Sequence, residues 1–169
     1  MQDNLRVSLL LVCRLLEKHK VSYLLIGGTA VALNGYFRHS VDKDGELTEK
    51  PDIDIWYNPT YTNYFKILEV IQDLGNDVTE WKKELNTDPK KSVFKLEFDD
   101  FTIDILPVLK ADMKFSDAKN RSDTIHFEGV PIHFLSYTDL IADKQEMARQ
   151  KDIQDIEQLK KINHGKTVR

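Results

Sequence analysis

Three aspartates and a glycine pair are the residues of this chain best suited to chemistry. Asp52 and Asp54 stand two apart in Asp52-Ile53-Asp54-Ile55-Trp56, a run with strand composition. On a strand, side chains two apart share a face, so both carboxylates point one way while Ile53 and Ile55 point the other. Like charges side by side repel, and a divalent cation would remove that penalty. Asp104 lies in the alternating run Phe101-Thr102-Ile103-Asp104-Ile105-Leu106, on the face opposite Phe101, Ile103 and Ile105. An acidic side chain inside an apolar strand is costly unless something pairs with it. Upstream, Tyr23-Leu24-Leu25-Ile26 has the composition of a buried strand and runs directly into Gly27-Gly28-Thr29-Ala30. A strand that turns through glycines into a helix N-terminus presents backbone N–H groups without obstructing side chains, which suits phosphate.

Taken singly, each feature has a plain structural explanation. A glycine pair after a strand is usually a tight turn, an Asp-x-Asp is usually solvated surface, and a lone strand aspartate can be a structural acceptor. Their order is more specific. Glycine pair, Asp-x-Asp and later strand Asp together resemble the nucleotidyltransferases of the DNA polymerase β superfamily, closest to the abortive-infection-type (AbiEii-like) bacterial branch. The resemblance covers roughly residues 21–159. It implies an α/β (α+β) nucleotidyltransferase fold: a mixed twisted sheet carrying the three aspartates, flanked by helices, with a helical pair at the C-terminus.

The same resemblance implies a reaction, the transfer of a nucleoside monophosphate from an NTP to a hydroxyl acceptor with Mg²⁺ (or Mn²⁺). Such ions take hard oxygen ligands, which Asp52, Asp54 and Asp104 would supply. Asp104 would flank the attacking hydroxyl and accept its proton. Gly27, Gly28 and Thr29 would bind the β- and γ-phosphates; Thr29 keeps a hydroxyl where related sequences more widely carry serine. Residues 136–155 resemble the pattern Asp-Leu-Ile-x-x-Lys, then Arg-x-Lys-Asp-x-x-Asp, which implies that Lys144 faces the nucleotide phosphates while Arg149 and Asp152 brace two helices. Arg38 is a further nucleotide contact of the same kind. The pattern departs from its relatives in the stretch inserted at residues 41–51, between Arg38 and the Asp pair. That insertion borders the expected site and bears on acceptor choice.

The branch resemblance implies an RNA or protein acceptor, as in a toxin with an antitoxin partner. The alternative is a small drug-like acceptor, because lincosamide- and aminoglycoside-modifying nucleotidyltransferases share the glycine and aspartate pattern at similar size. A third reading, a non-catalytic nucleotide-binding or regulatory module, is opposed by the three intact aspartates.

Composition frames these expectations. At 169 residues, with 41% hydrophobic and 31% charged residues, the chain fits one domain, residues 1–169, with a substantial core. A net charge of −4 and a sequence pI of about 5.7 give no general basic footprint for nucleic acid. Lys82-Lys83 and Lys90-Lys91 read as solvated surface. The single Cys13 forms no intramolecular disulfide, which fits a reducing, cytoplasmic setting. The first residues form neither a signal peptide nor a membrane span. Asp42-Lys43-Asp44-Gly45 fails as a calcium loop, since its glycine falls too early and no closing Glu follows. The five histidines form no ligand constellation.

Periodicity supplies the elements that must position the site. Residues 5–19 predict a helix, 22–26 a strand and 29–34 a short helix; 41–51 read as a surface loop with a turn at Asp44-Gly45. The strand at 52–57 leads to a helix capped by Thr60 or Thr62, striped by Phe65, Leu68 and Ile71 and stopped at Gly75. A short helix is expected near 81–85. Hairpins are expected from 93–98 with 101–106, and from 125–127 with 130–134. Ser136 opens a helix carrying Leu140, Ile141 and Met147, and a last helix near 152–162 carries Ile153, Ile156 and Leu159.

Overall fold

A computed structural model describes residues 3–38, 40–41, 47–48 and 50–167. Its centre is a six-stranded mixed sheet. The strands are β1 (Tyr23–Leu25), β4 (Asp52–Tyr57), β5 (Phe94–Glu97), β6 (Thr102–Leu106), β7 (Asp123–Phe127) and β8 (Val130–Phe134), in the order β5-β6-β4-β1-β8-β7. β4 runs parallel to β6 and antiparallel to β1, while β1 runs parallel to β8. The two outer pairs, β5–β6 and β7–β8, are the expected hairpins. The second turns at Glu128-Gly129, both with positive φ (48° and 78°), the combination that matches strand twist in a two-residue turn. β2 (Ser40–Val41) and β3 (Leu47–Thr48) form a separate antiparallel pair within the stretch read as a loop. The turn expected at Asp44-Gly45, and His39, lie outside the described residues.

Strand alternation divides the core between the two faces. Ile53, Ile55, Ile103, Ile105, Phe94 and Leu96 are buried on one face, against α1 (Asp3–Lys18) and α3 (Tyr61–Asp73). Leu24, Ile26 and Trp56 are buried on the other. There they meet α2 (Gly27–Leu33), α5 (Phe115–Arg121), α6 (Tyr137–Met147) and α7 (Gln150–Thr167) through Val31, Phe115, Leu140 and Leu159. Trp56 anchors this second layer: its ring meets Phe115 edge-on at 5.0 Å and its Nε1–H donates to the Pro107 carbonyl at 3.1 Å. Asp52 and Asp54 lie on the same face as Trp56, nearer the start of β4.

Helix ends follow local chemistry. The Thr60 hydroxyl caps α3 by accepting from the Asn63 N–H, Gly75 (φ 97°) stops it, and Ser136 caps α6. A short helix, α4 (Thr79–Lys83), and a 3-10 turn at Pro89–Lys91 connect α3 to β5. Four expectations need correction. Leu68 and Ile71 of the expected α3 stripe are buried, but Phe65 is exposed, and Tyr64 and Ile67 complete the buried face. Ile153 on α7 is likewise exposed. α2 starts at Gly27, so the glycines are its first turn and not a turn before it. α5 was not foreseen; its Arg121 forks onto Asp139 of α6 at 3.0–3.2 Å, which fixes it to the second layer.

Candidate active site

The parallel pairing of β4 with β6 sets Asp54 beside Asp104 and Asp52 beside Thr102. One carboxylate oxygen from each of Asp52, Asp54 and Asp104 lies within 4.8 Å of the others. The Thr102 hydroxyl donates to Asp52 Oδ1 at 2.6 Å and orients it. Lys95, opposite Asp104 in the β5–β6 hairpin, brings its ammonium 3.7 Å from Asp104 Oδ2.

This trio is electrostatically frustrated. Burial, then the charges of Asp52 and Asp104, push the Asp54 carboxyl up to about 7, against the opposing pull of Lys151 and the Gly28 N–H. Burial and Asp52 also raise Asp104, and Lys95 opposes them. Hard oxygen donors from two adjacent strands, with too little positive charge to satisfy them, could hold a hard divalent cation.

Helix α2 is stitched to β4 at both aspartates. The Ile26 N–H donates to the Asp54 carbonyl at 3.0 Å, and the Thr29 hydroxyl donates to the Asp52 carbonyl at 3.1 Å. The Gly28 N–H donates to the Asp54 carboxylate. Gly27 holds φ at 56°, in the left-handed region, and a Cβ there would lie 2.8 Å from Asp54 Cγ. A Cβ on Gly28 would meet only Arg38 Nη2, at 3.8 Å. The backbone freedom that glycine supplies is therefore needed at Gly27. Thr29 is buried, its hydroxyl engaged with β4.

The expected cations take their places around α7. Arg38 forks onto Asp155, Nε to Oδ1 at 2.7 Å and Nη2 to Oδ2 at 3.1 Å. Lys144 is buried, with Nζ 2.9 Å from Asp152 Oδ1 and 2.8 Å from Asp155 Oδ2. Arg149 Nε reaches Asp152 Oδ2 at 2.6 Å. Burial would raise the Asp152 carboxyl, but Arg149 and Lys144 overcome it and hold it at about 2. Arg149 and Asp152 thus pair within the first turn of α7, and Lys144 makes the bridge between helices. The bridge depends on a sharp corner, where Ala148 closes α6 at φ 50° and donates its N–H to the Lys144 carbonyl.

These elements surround a cleft of about 630 Å³, within the range of small-molecule sites. Gly27, Gly28 and the three aspartates form one part of its wall; Arg38, Lys144, Arg149 and Lys151 form another, and Phe37, Leu106, Leu109 and Met147 add apolar surface. Sequence reasoning missed Lys95, Lys110, Asp143 and Lys151 as lining residues. Lys95 was detectable from the hairpin register, which sets it against Asp104. Lys151 follows from Arg149 and Asp152, which fix the first turn of α7 at the cleft. Lys110 and Asp143 depend on how residues 107–114 cross α6, for which the sequence carries no periodic signal. Burial raises the Asp143 carboxyl, and among the described residues its Oδ1 has no hydrogen-bond partner.

Sheet order, layers and aspartate placement together define the nucleotidyltransferase fold. Solved structures agree. The crystal structure of the lincosamide antibiotic adenylyltransferase LnuA with lincomycin bound aligns over 96% of this chain and 98% of its own, with a TM-score of 0.59 at 19% identity. The solution structure of the antibiotic-resistance factor ANT(2'')-Ia aligns over 94% of this chain and 84% of its own, with a TM-score of 0.56 at 19% identity. The sequence matches no family model and none of the curated proteins. Among the described residues, no helix is long and apolar enough to cross a membrane.

Proposed function

We propose that this chain is a divalent-metal-dependent nucleotidyltransferase that moves a nucleoside monophosphate from an NTP to a hydroxyl of a small polar acceptor. The observation that carries this reading is the convergence of Asp52, Asp54 and Asp104 within 4.8 Å on the wall of a cleft also lined by basic side chains. Bound Mg²⁺ or Mn²⁺ would neutralise the phosphates and lower the pKa of the acceptor hydroxyl. Asp52 and Asp54, from one strand, would hold the ions together with Asp104. Asp104, from the neighbouring strand, faces the acceptor and takes its proton. Gly27 and Gly28 let the phosphates approach the backbone of α2 closely. A nucleotide substrate and a buried, unpaired Cys13 fit a cytoplasmic setting.

A small acceptor is favoured over RNA or protein on two grounds. LnuA, described as a lincosamide adenylyltransferase with lincomycin bound, matches this chain across nearly its whole length. The net charge of −4 provides no broad basic surface for RNA. The abortive-infection resemblance keeps the toxin-like reading, with an antitoxin partner, as the alternative.

The test supplies α-labelled NTPs and Mg²⁺ with lincosamides, aminoglycosides, total RNA and total protein in parallel. Label is expected on a small acceptor with release of pyrophosphate. Label in the RNA or protein fraction would establish the toxin-like alternative, and no transfer to any acceptor would overturn the enzymatic reading. Asp104→Asn is expected to retain NTP binding and lose transfer by about 10²-fold or more, since base and metal ligand go together.

A further inference from the structure

Four basic side chains from α6, α7 and the loop after α2 line the cleft, and three are already bound to carboxylates. The Lys144 side chain is 3% exposed, and its Nζ lies between two fully buried acids, Asp152 at 2.9 Å and Asp155 at 2.8 Å. Arg38 places two nitrogens on Asp155, and Arg149 is held by Asp152. Lys144, so paired, has little left to offer a ligand, because removing it from its partners would strand buried charge, while the two arginines are held in fixed orientation by their carboxylates. Lys151 differs. Like Lys110, it is exposed, lines the same cleft, and among the described residues has no ion pair or side-chain hydrogen bond; of the two, Lys151 is the one whose charge bears on the Asp54 carboxyl. Its ammonium feels repulsion from Arg149 and Arg38 and attraction from Asp152 and Asp54. Its charge therefore bears on Asp54, the carboxylate against which the first turn of α2 packs.

We propose that Lys151 is a cation this cleft presents to the phosphates of the bound nucleotide, and that Lys144, Asp152 and Asp155 position α7 for that purpose. The proposal rests on the reading that an NTP occupies the cleft. An ammonium on a flexible stem suits a polyphosphate, whose charge it meets as a point partner without fixed fork geometry. Lys144 then has a positioning role: its Nζ fixes the first turns of α7 to α6, across the corner at Ala148.

The test is calorimetric titration of a nonhydrolysable ATP analogue in Mn²⁺, compared with adenosine, on wild type, K151M, K151R and K160M. Lys160 is exposed on the same helix and away from the cleft, so K160M controls for charge on α7. K151M is expected to bind the analogue at least tenfold more weakly, K151R within a few-fold, and K160M like wild type. Adenosine binding should be the same in all four. Unfolding midpoints within about 2 °C of wild type would show that K151M is folded; were it lower, K151R against K151Q would make the same comparison. Equal affinity of K151M and wild type for the analogue would overturn the assignment, as would a loss shared equally by adenosine. No binding of the analogue by wild type would instead remove the nucleotide reading on which the proposal rests.

Discussion

The Asp54 carboxyl group lies against the α carbon of Gly27, so close that a Cβ on Gly27 would come within 2.8 Å of Asp54 Cγ. Gly27 also holds φ at 56°. The first turn of α2 and the central carboxylate are thus one packed unit, and the two glycines have different duties.

Gly27→Ala should force either the backbone or Asp54 to move. The left-handed conformation alone costs a non-glycine residue about 1–2 kcal/mol, and displacement of Asp54 should weaken divalent-metal binding as well. Gly28→Ala should leave stability unchanged or raise it by up to about 1 kcal/mol, as glycine in a helix is entropically unfavourable. Thermal melts and Mn²⁺ titrations of the two variants check this. The relationship fails if Gly28→Ala is the more damaging change.

This division shows where the sequence is informative. The run from Tyr23 to Ala30 and the alternation around Asp54 and Asp104 are local signals, and the strands and the aspartate cluster follow from them. Which glycine takes positive φ depends on Asp54, 27 residues later in the chain, and on the packing of α2 against β4. Phe65 is exposed because Tyr64, Phe65, Ile67 and Leu68 permit two overlapping stripes, and Tyr64, packed against Phe94 of β5, takes the buried side. Lys144, which the resemblance directs to the phosphates, is instead taken up by Asp152 and Asp155, set beside it by the corner at Ala148, and that long-range placement carries no local signal. α5 has seven residues and only Phe115 and Ala118 buried, too little for a periodic signal.

The raised Asp54 carboxyl makes stability depend on pH. Its folded value of about 7 exceeds the ordinary value of 3.8, so the folded state holds the proton longer than the unfolded chain does. Stability from this group therefore falls as pH rises from about 4 to about 7 and stays low above that. Asp54→Asn removes the effect and should stabilise the metal-free protein at pH 8 by roughly 1–3 kcal/mol, with the gain vanishing near pH 4. Mn²⁺ should raise the wild-type midpoint at pH 8 and leave the variant nearly unmoved. Urea melts across pH test this; an advantage independent of pH would contradict it.

Asp155 holds both Arg38 and Lys144 while fully buried. Asp155→Ala strands Arg38 and leaves Lys144 with Asp152 alone, a loss of roughly 3–5 kcal/mol, or a drop in melting temperature of roughly 6–20 °C for a chain of this size. By contrast Arg14 reaches Glu128 at 2.8 Å with both side chains about half exposed, and Arg14→Ala should cost less than about 1 kcal/mol. Equal costs for the two variants would mean that the network around α7 is not the brace inferred from its burial.

The most direct test concerns the metal. Calorimetric titration with Mn²⁺ in the presence of a nonhydrolysable NTP should show saturable binding to wild type. That binding should be abolished in the Asp52→Asn, Asp54→Asn double variant, which should remain folded with stability equal to or above wild type, because clustered negative charge is gone. Equal Mn²⁺ binding by wild type and the double variant would contradict the assignment of the aspartate cluster as the metal centre of this site.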